Sequence, residues 1–300
     1  MVMISPLTGS ENVTPVFQVP VDTIVNGYRN ELNINVSGYF QGIHQVELYK
    51  CNETGYRFFA PPSLAGDTSL YEQLEKYDWY YARWKWENDY ALQQFTKGDL
   101  ILDIGCGDGF FLDGIRKNGF QCEGIELNHS AAEKARSKQH TVHELRIEEF
   151  SKQHSNSFDV VCAMQVLEHI YDVREFAQHA MNVVKPGGKL IFAVPNNNPF
   201  LYRYDTHTLL NLPPHHMGWW DKKSLELATK YFHAEACNVA VEPLQDNERY
   251  TYFMKYAENN LPASVRKTYA RIRSRISRMM NEKRDGRNLV AVFTKPATAA

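Results

Sequence analysis

The feature that most restricts this chain is Asp103-Ile104-Gly105-Cys106-Gly107-Asp108-Gly109, a glycine-rich turn between the apolar run DLILDIG and the amphipathic GFFLDGIRKNG. A buried strand turning on glycines into a helix is the opening unit of a parallel α/β sheet, and it lets backbone approach a ligand closely. The same alternation continues downstream. QCEGIEL predicts a second strand, SAAEKARSKQ a second helix, TVHELRI a third strand and SFDVVCAMQ a fourth. VREFAQHAMNVV predicts a helix ended by Lys185-Pro186-Gly187-Gly188, KLIFAVPN a fifth strand, and DKKSLELATKYF a helix opened by Asp221. AEACNVAVE and NLVAVFTK bring the count to seven strands. About forty residues part these last two, too many for a bare hairpin, and PASVRKTYARIRSRISRMM predicts a helical insertion over 245–287. The expected fold is α/β, a doubly wound, seven-stranded, mostly parallel sheet with helices on both faces.

Upstream, residues 1–33 are polar, carry Pro6, Pro15 and Pro20, and predict an extended or flexible arm. Residues 34–96 predict a cap. In it Val46, Leu48, Tyr56 and Phe58 alternate about Thr54-Gly55 as a β-hairpin would. Leu70, Leu74, Tyr77, Tyr81 and Trp84, then Asn88, Leu92 and Phe95, recur at helical steps. These rings either pack internally or, with Lys85, roof a ligand pocket.

The balance of 33 Lys and Arg against 35 Asp and Glu gives a net charge of −2, which argues against nucleic acid as a partner. The five cysteines form no C-x-x-C pair, so neither a disulfide framework nor a structural zinc site is expected. No apolar run approaches the roughly 20 residues of a membrane span, and the first residues lack a signal-peptide pattern. The expected setting is cytoplasmic.

The glycine turn could serve a dinucleotide, but its third glycine would then stand at 110, which is Phe110. A pyrophosphate would also avoid the carboxylates of Asp103 and Asp108 that flank the turn. A cationic, phosphate-free ligand suits the turn better. Glu126 closes the second strand, where an acid can accept hydrogen bonds from both ribose hydroxyls.

ILDIGCGDG, the acid in GIELN, FDVVCAMQVLEHI and the VVKPGG turn resemble the successive motifs of class I S-adenosylmethionine-dependent methyltransferases, closely over 97–195 and by strand order to 295. The resemblance implies a Rossmann-like methyltransferase domain over 97–300, with S-adenosylmethionine as donor and S-adenosylhomocysteine as product. It implies that Asp103, Gly105, Cys106 and Gly107 pass beside the methionine part and that Glu126 holds the ribose. Leu127 would pack on the adenine, Arg146, Ile147 and Glu148 would lie near its edge, and Met164 and Gln165 would border the methionine part. The flanks LYKCNETGYRFFAP, GDTSLYEQLEKYDWYYARWKWE and PPHHMGWWDKKSL resemble a bacterial subgroup associated with surface glycan and lipopolysaccharide gene clusters. That implies a sugar or glycan-precursor acceptor. Chains of this subgroup often carry a cysteine-rich knuckle at the hairpin. Here Thr54 replaces a second ligand, so Cys51 is expected to be structural.

Methyl transfer to a hydroxyl benefits from a general base with a pKa near neutrality, which histidine supplies. His169 follows the fourth strand, and His215 and His216 follow the fifth; these are the catalytic candidates. Tyr81, Lys85, Asn196, Asn197, Tyr202 and Arg203 are the candidates for holding the acceptor. A metal site from His215, His216 and Asp205 would need further ligands, and no metal is expected. Residues 262–287 place Val265, Tyr269, Ile272, Ile276 and Met279 on one stripe of a basic helix. This reads as a packed helix with a solvated basic face, or as a contact with an anionic membrane or lipid-linked glycan. An N-methyltransferase of a small metabolite and a non-catalytic S-adenosylmethionine-binding assembly protein remain as alternatives.

Overall fold

The computed structural model describes residues 2–77, 80, 84–198 and 208–297. Where an extended arm is predicted, the chain forms strand β1 (Val13–Pro20) and helix α1 (Val21–Leu32). Ile24, Val25, Tyr28 and Leu32 share one helical face and bury it, which the surrounding polar residues and prolines mask in the sequence. β1 lies at the edge of a small sheet and is bulged between Pro15 and Phe17, a place where proline costs no ladder bond. The predicted hairpin is β2 (Gln45–Cys51) with β3 (Arg57–Ala60), paired antiparallel with Leu48 opposite Phe59. The aromatic stretch that follows holds two short helices, α2 (Thr68–Leu74) and α3 (Trp86–Leu92).

From β4 (Leu100–Ile104) the alternation follows the sequence: α4 (Phe110–Lys117), β5 (Gln121–Ile125), α5 (His129–Ser137), β6 (Thr141–His143), α6 (Ile147–Phe150), β7 (Phe158–Met164), α7 (Val173–Val183) and β8 (Val184–Pro195). β6 is shorter than TVHELRI suggests, because Arg146 already caps α6. Lys185-Pro186-Gly187-Gly188 belongs to β8, not to a turn before it. There Gly188 runs so close to β7 that a Cβ would sit 2.6 Å from the Asp159 carbonyl oxygen. The remaining elements are β9 (Gly218–Trp219), α8 (Lys222–Ala228), β10 (Ala236–Pro243), α9 (Arg249–Asn260), α10 (Ala263–Met279) and β11 (Asp285–Thr294).

The main sheet has seven strands in the order β10-β11-β8-β7-β4-β5-β6. β11 alone runs antiparallel to its neighbours. Leu102, Val161, Leu190 and Phe192 face one layer of the core, while Ile101, Cys162, Ile191 and Ala193 face the other. Burial on both faces explains why these strands are continuous apolar runs. β9 pairs with β3, and the next residue, Trp220, bridges to Asn196 beyond β8, so one short segment joins both sheets. Trp220 is fully buried, its ring 4.1 Å from that of Tyr56.

In the insertion, α9 and α10 are joined by a short link, and the predicted apolar stripe of α10 is turned outward except at Tyr269, which packs on Tyr256 and Phe253 of α9. Ile272 is 52% exposed and Met279 86% exposed. The inward face is Ala270 and Ser277, because the buried Arg249 guanidinium of α9 donates to Ser277 Oγ at 2.7 Å and to the Glu282 carbonyl at 3.1 Å. Among the described residues no helix is long and apolar enough to cross a membrane.

Candidate functional site

The strand order reverses between β4 and β7, and such a switch point opens a crevice at the carboxyl ends of the strands. Two neighbouring cavities of about 350 and 710 Å³ occupy it, with Tyr80, Gly105, Gln165 and His169 common to both. Gly105 has φ +74°, and a Cβ there would lie 2.7 Å from Val166 Cγ2, so only glycine lets the turn sit this low. Gln165 keeps φ +56° although it is not glycine, a backbone strain that recurs where a scaffold fixes a site.

Glu126 ties the crevice together. Its Oε2 accepts the Gly107 amide at 2.9 Å and its Oε1 accepts the Asn128 amide at 2.7 Å. Burial nevertheless lifts its carboxyl above the usual range. Asp103 is 2% exposed, and among the described residues its Oδ1 has no hydrogen-bond partner. Burial, then the neighbouring Glu126, hold its carboxyl well above the carboxylate range. A buried carboxyl oxygen without a donor, beside a glycine cradle, fits a cationic ligand with its own N–H donors. S-adenosylmethionine, with an ammonium and a sulfonium, is such a ligand. Leu127, Ile147 and Glu148 line the smaller cavity, while Asp103, Cys106, Gly107 and Met164 line the larger, and Gln165 lines both.

The three histidines meet. The His169 ring centroid lies 4.6 Å from that of His215 and 4.9 Å from that of His216, and the latter two stack at 19°. Each Nδ1 is spent on the scaffold: His169 bonds the His215 carbonyl at 2.6 Å, His215 the Leu210 carbonyl at 2.9 Å, and His216 the Asn211 Oδ1 at 3.0 Å. The sequence predicts a base tuned near neutrality; the structure corrects this. Burial pushes His169 down to about 4 and His215 to about 3, and carries His216 well below its usual value. Three imidazole rings packed together, with His215 and His216 buried, favour the neutral form.

With this geometry in view, the profile of the methyltransferase domain family matches residues 78–235. The chain belongs to that family. The methyltransferase domain is 31% identical over 124 residues to the ubiquinone biosynthesis O-methyltransferase of Alkalilimnicola ehrlichii, covering 39% of this chain and 50% of that one. With the protein of the same name from Albidiferax ferrireducens it shares 34% identity over 161 residues, or 51% and 60% of the two chains. The chain thus spans only half to three-fifths of these relatives. An Archaeoglobus fulgidus S-adenosylmethionine-dependent methyltransferase superimposes with a TM-score of 0.50 at 16% identity, covering 77% of this chain and 95% of that one. A Haemonchus contortus phosphoethanolamine N-methyltransferase in complex with S-adenosylmethionine gives 0.50 at 15% identity, over 75% and 57%. Both show that the Rossmann-like fold is shared.

Of the acceptor candidates, Lys85 lines the larger cavity. Asn196 and Asn197 do not; both are buried scaffold. Asn196 Nδ2 donates to the Gly286 carbonyl at 3.4 Å, and Asn197 Nδ2 donates to the Pro195 carbonyl at 3.3 Å. Tyr81, Tyr202, Arg203 and Asp205 lie outside the described residues. The sequence reading missed Glu87, Glu242, Glu248 and Asn288, which form one wall of the larger cavity. Asn288 Nδ2 donates to Glu87 Oε2 at 3.2 Å and to Glu242 Oε2 at 3.0 Å. It also missed Glu168, 1% exposed, whose carboxyl burial pushes up to about 8.

Leu127 is 47% exposed at the mouth of the smaller cavity, so its replacement leaves the core intact. If Leu127 packs on the adenine as the resemblance implies, Leu127→Ser is expected to weaken S-adenosylhomocysteine about tenfold by removing apolar area, without lowering the melting temperature. Calorimetric titration beside a thermal melt measures both.

Proposed function

We propose that this protein transfers the methyl group of S-adenosylmethionine to a hydroxyl of a sugar or glycan precursor. The observation that carries this reading is the lining of the larger cavity, which combines Glu87, Glu242, Glu248 and Asn288 with rings that include Trp84 and Trp86. Carboxylates and amides accept and donate to vicinal hydroxyls, and aromatic faces pack on the C–H faces of a sugar ring. The curated relatives are named O-methyltransferases, which supports oxygen as the methylated atom.

S-adenosylmethionine supplies an electrophilic methyl carbon on a sulfonium. The chain's own contribution is placement, which can be worth about 7–11 kcal/mol when the reacting atoms are aligned. Gly105 and Gln165 form the floor common to both cavities, and His169 stands where donor and acceptor spaces meet. The acceptor oxygen attacks the methyl carbon in line, the C–S bond breaks with its electron pair kept by sulfur, and the hydroxyl proton passes to solvent.

The three carboxylates of the wall favour a second reading, an amine acceptor held as an ammonium ion. Transfer of labelled methyl from S-adenosylmethionine to a panel of nucleotide sugars, glycans and small amines separates the two. The sugar reading expects an acid-stable O-methyl product. Product on amines alone would overturn it. With the accepted substrate, Glu242→Gln is expected to raise the acceptor KM about tenfold while S-adenosylhomocysteine affinity stays within about twofold.

A further inference from the structure

We propose that His169, His215 and His216 form a binding site for one divalent transition-metal ion of the zinc type. One ring nitrogen from each residue lies within 4.8 Å of those of the other two. The hydrogen bonds fix which nitrogen carries the lone pair. A carbonyl oxygen only accepts, so the Nδ1 atoms that face the carbonyls of His215 and Leu210 carry hydrogen, and Nε2 of His169 and of His215 is bare. For His216 the same result passes through two amides. The Pro195 carbonyl requires Asn197 to present its Nδ2. Asn197 therefore offers Oδ1 to Asn211 Nδ2 at 2.8 Å, and Asn211 offers its own Oδ1 to His216 Nδ1. All three rings are thus held in the Nε2-lone-pair tautomer by oxygen partners behind them.

A ring N–H donated to a carbonyl or amide oxygen is the usual support of a metal-bound histidine. Three imidazoles with a fourth position left open form the donor set of a catalytic zinc site. Ligand nitrogens around a tetrahedral zinc stand about 3.3 Å apart, and loading would displace the Tyr80 hydroxyl from His215 Nε2. Glu168 lines the same cavity, and its Oε2 is buried with no partner among the described residues. The open position faces the acceptor cavity. A hydroxyl bound there loses its proton to water more readily and then takes the methyl group.

This deepens the proposed function by naming how the cluster activates the acceptor. The test separates the two. The full-length protein is dialysed against a chelator, then titrated calorimetrically with zinc chloride, with S-adenosylhomocysteine binding measured on each sample. The expected result is one equivalent of zinc per chain, weakened at least about 100-fold in both His169→Ala and His216→Ala, with S-adenosylhomocysteine still bound by each variant. His129, Glu133 and Glu144 form an exposed group elsewhere, so His129→Ala is the control and is expected to change nothing. Cobalt(II) in the wild-type protein should give the visible absorption of a four-coordinate nitrogen site, a readout that needs no variant. No zinc uptake, uptake abolished by His129→Ala, or a six-coordinate cobalt spectrum would each overturn the metal site. Zinc bound as expected by a protein that ignores S-adenosylhomocysteine would keep the metal site and remove the methyltransferase reading.

Discussion

Glu126→Ala is expected to cost S-adenosylhomocysteine at least about 100-fold in affinity. The carboxylate accepts two amides from different loops, Gly107 after β4 and Asn128 after β5. Charge-assisted hydrogen bonds contribute about 1.5–3 kcal/mol each, and each 1.4 kcal/mol is about tenfold in binding. Alanine removes both bonds, frees the glycine turn and deletes the acceptor we propose for the ribose hydroxyls. Glu126→Gln keeps the shape but turns an N–H group toward one of the amides, and should fall between the two. Titration calorimetry decides the matter. Affinity within about threefold of wild type in Glu126→Ala would remove Glu126 from the cofactor site.

Trp220→Ala is expected to destabilise the fold by about 3–5 kcal/mol, the range for a large aromatic side chain removed from a packed core. Trp220 lies against Tyr56 of the small sheet and Phe232 below the main sheet. Its backbone carbonyl also receives the Asn197 amide at 2.9 Å. Its indole N–H has no hydrogen-bond partner among the described residues, so Trp220→Phe loses area but no bond and should cost far less. Urea unfolding of both variants tests the contrast. Equal losses would show that volume alone is not what the position requires.

The main sheet was legible because its signals are local. Glycines follow β4 directly, and the strands are apolar without interruption because both faces are covered. The residues proposed for the cofactor drew notice for a related reason, since most of them stand at or just after the end of a strand. α1 was hidden because Tyr28 and Leu32 are spaced among polar residues and the segment begins right after a proline. Asn196 and Asn197 were misread because an amide that holds a scaffold and one that reads a ligand are the same letter. The wall of the larger cavity was beyond reach: Glu87 and Asn288 meet across 201 positions of chain. His215 and His216 drew notice as a pair, but only the fold brings His169 to them.

The reversed direction of β11 has a consequence for how this protein is made. Because the strand runs against its neighbours, its first residues, not its last, reach the crevice with Arg287 and Asn288. It is also inserted between β8 and β10, both of which leave the ribosome earlier. Until residues 285–294 emerge, β8 presents a bare edge and β10 has no strand to pair with, and an unpaired edge readily recruits a strand from another chain. A nascent chain halted within the α9–α10 segment would therefore be the most aggregation-prone length during synthesis. In the finished molecule β11 seals that gap and adds Arg287 and Asn288 to the lining of the larger cavity.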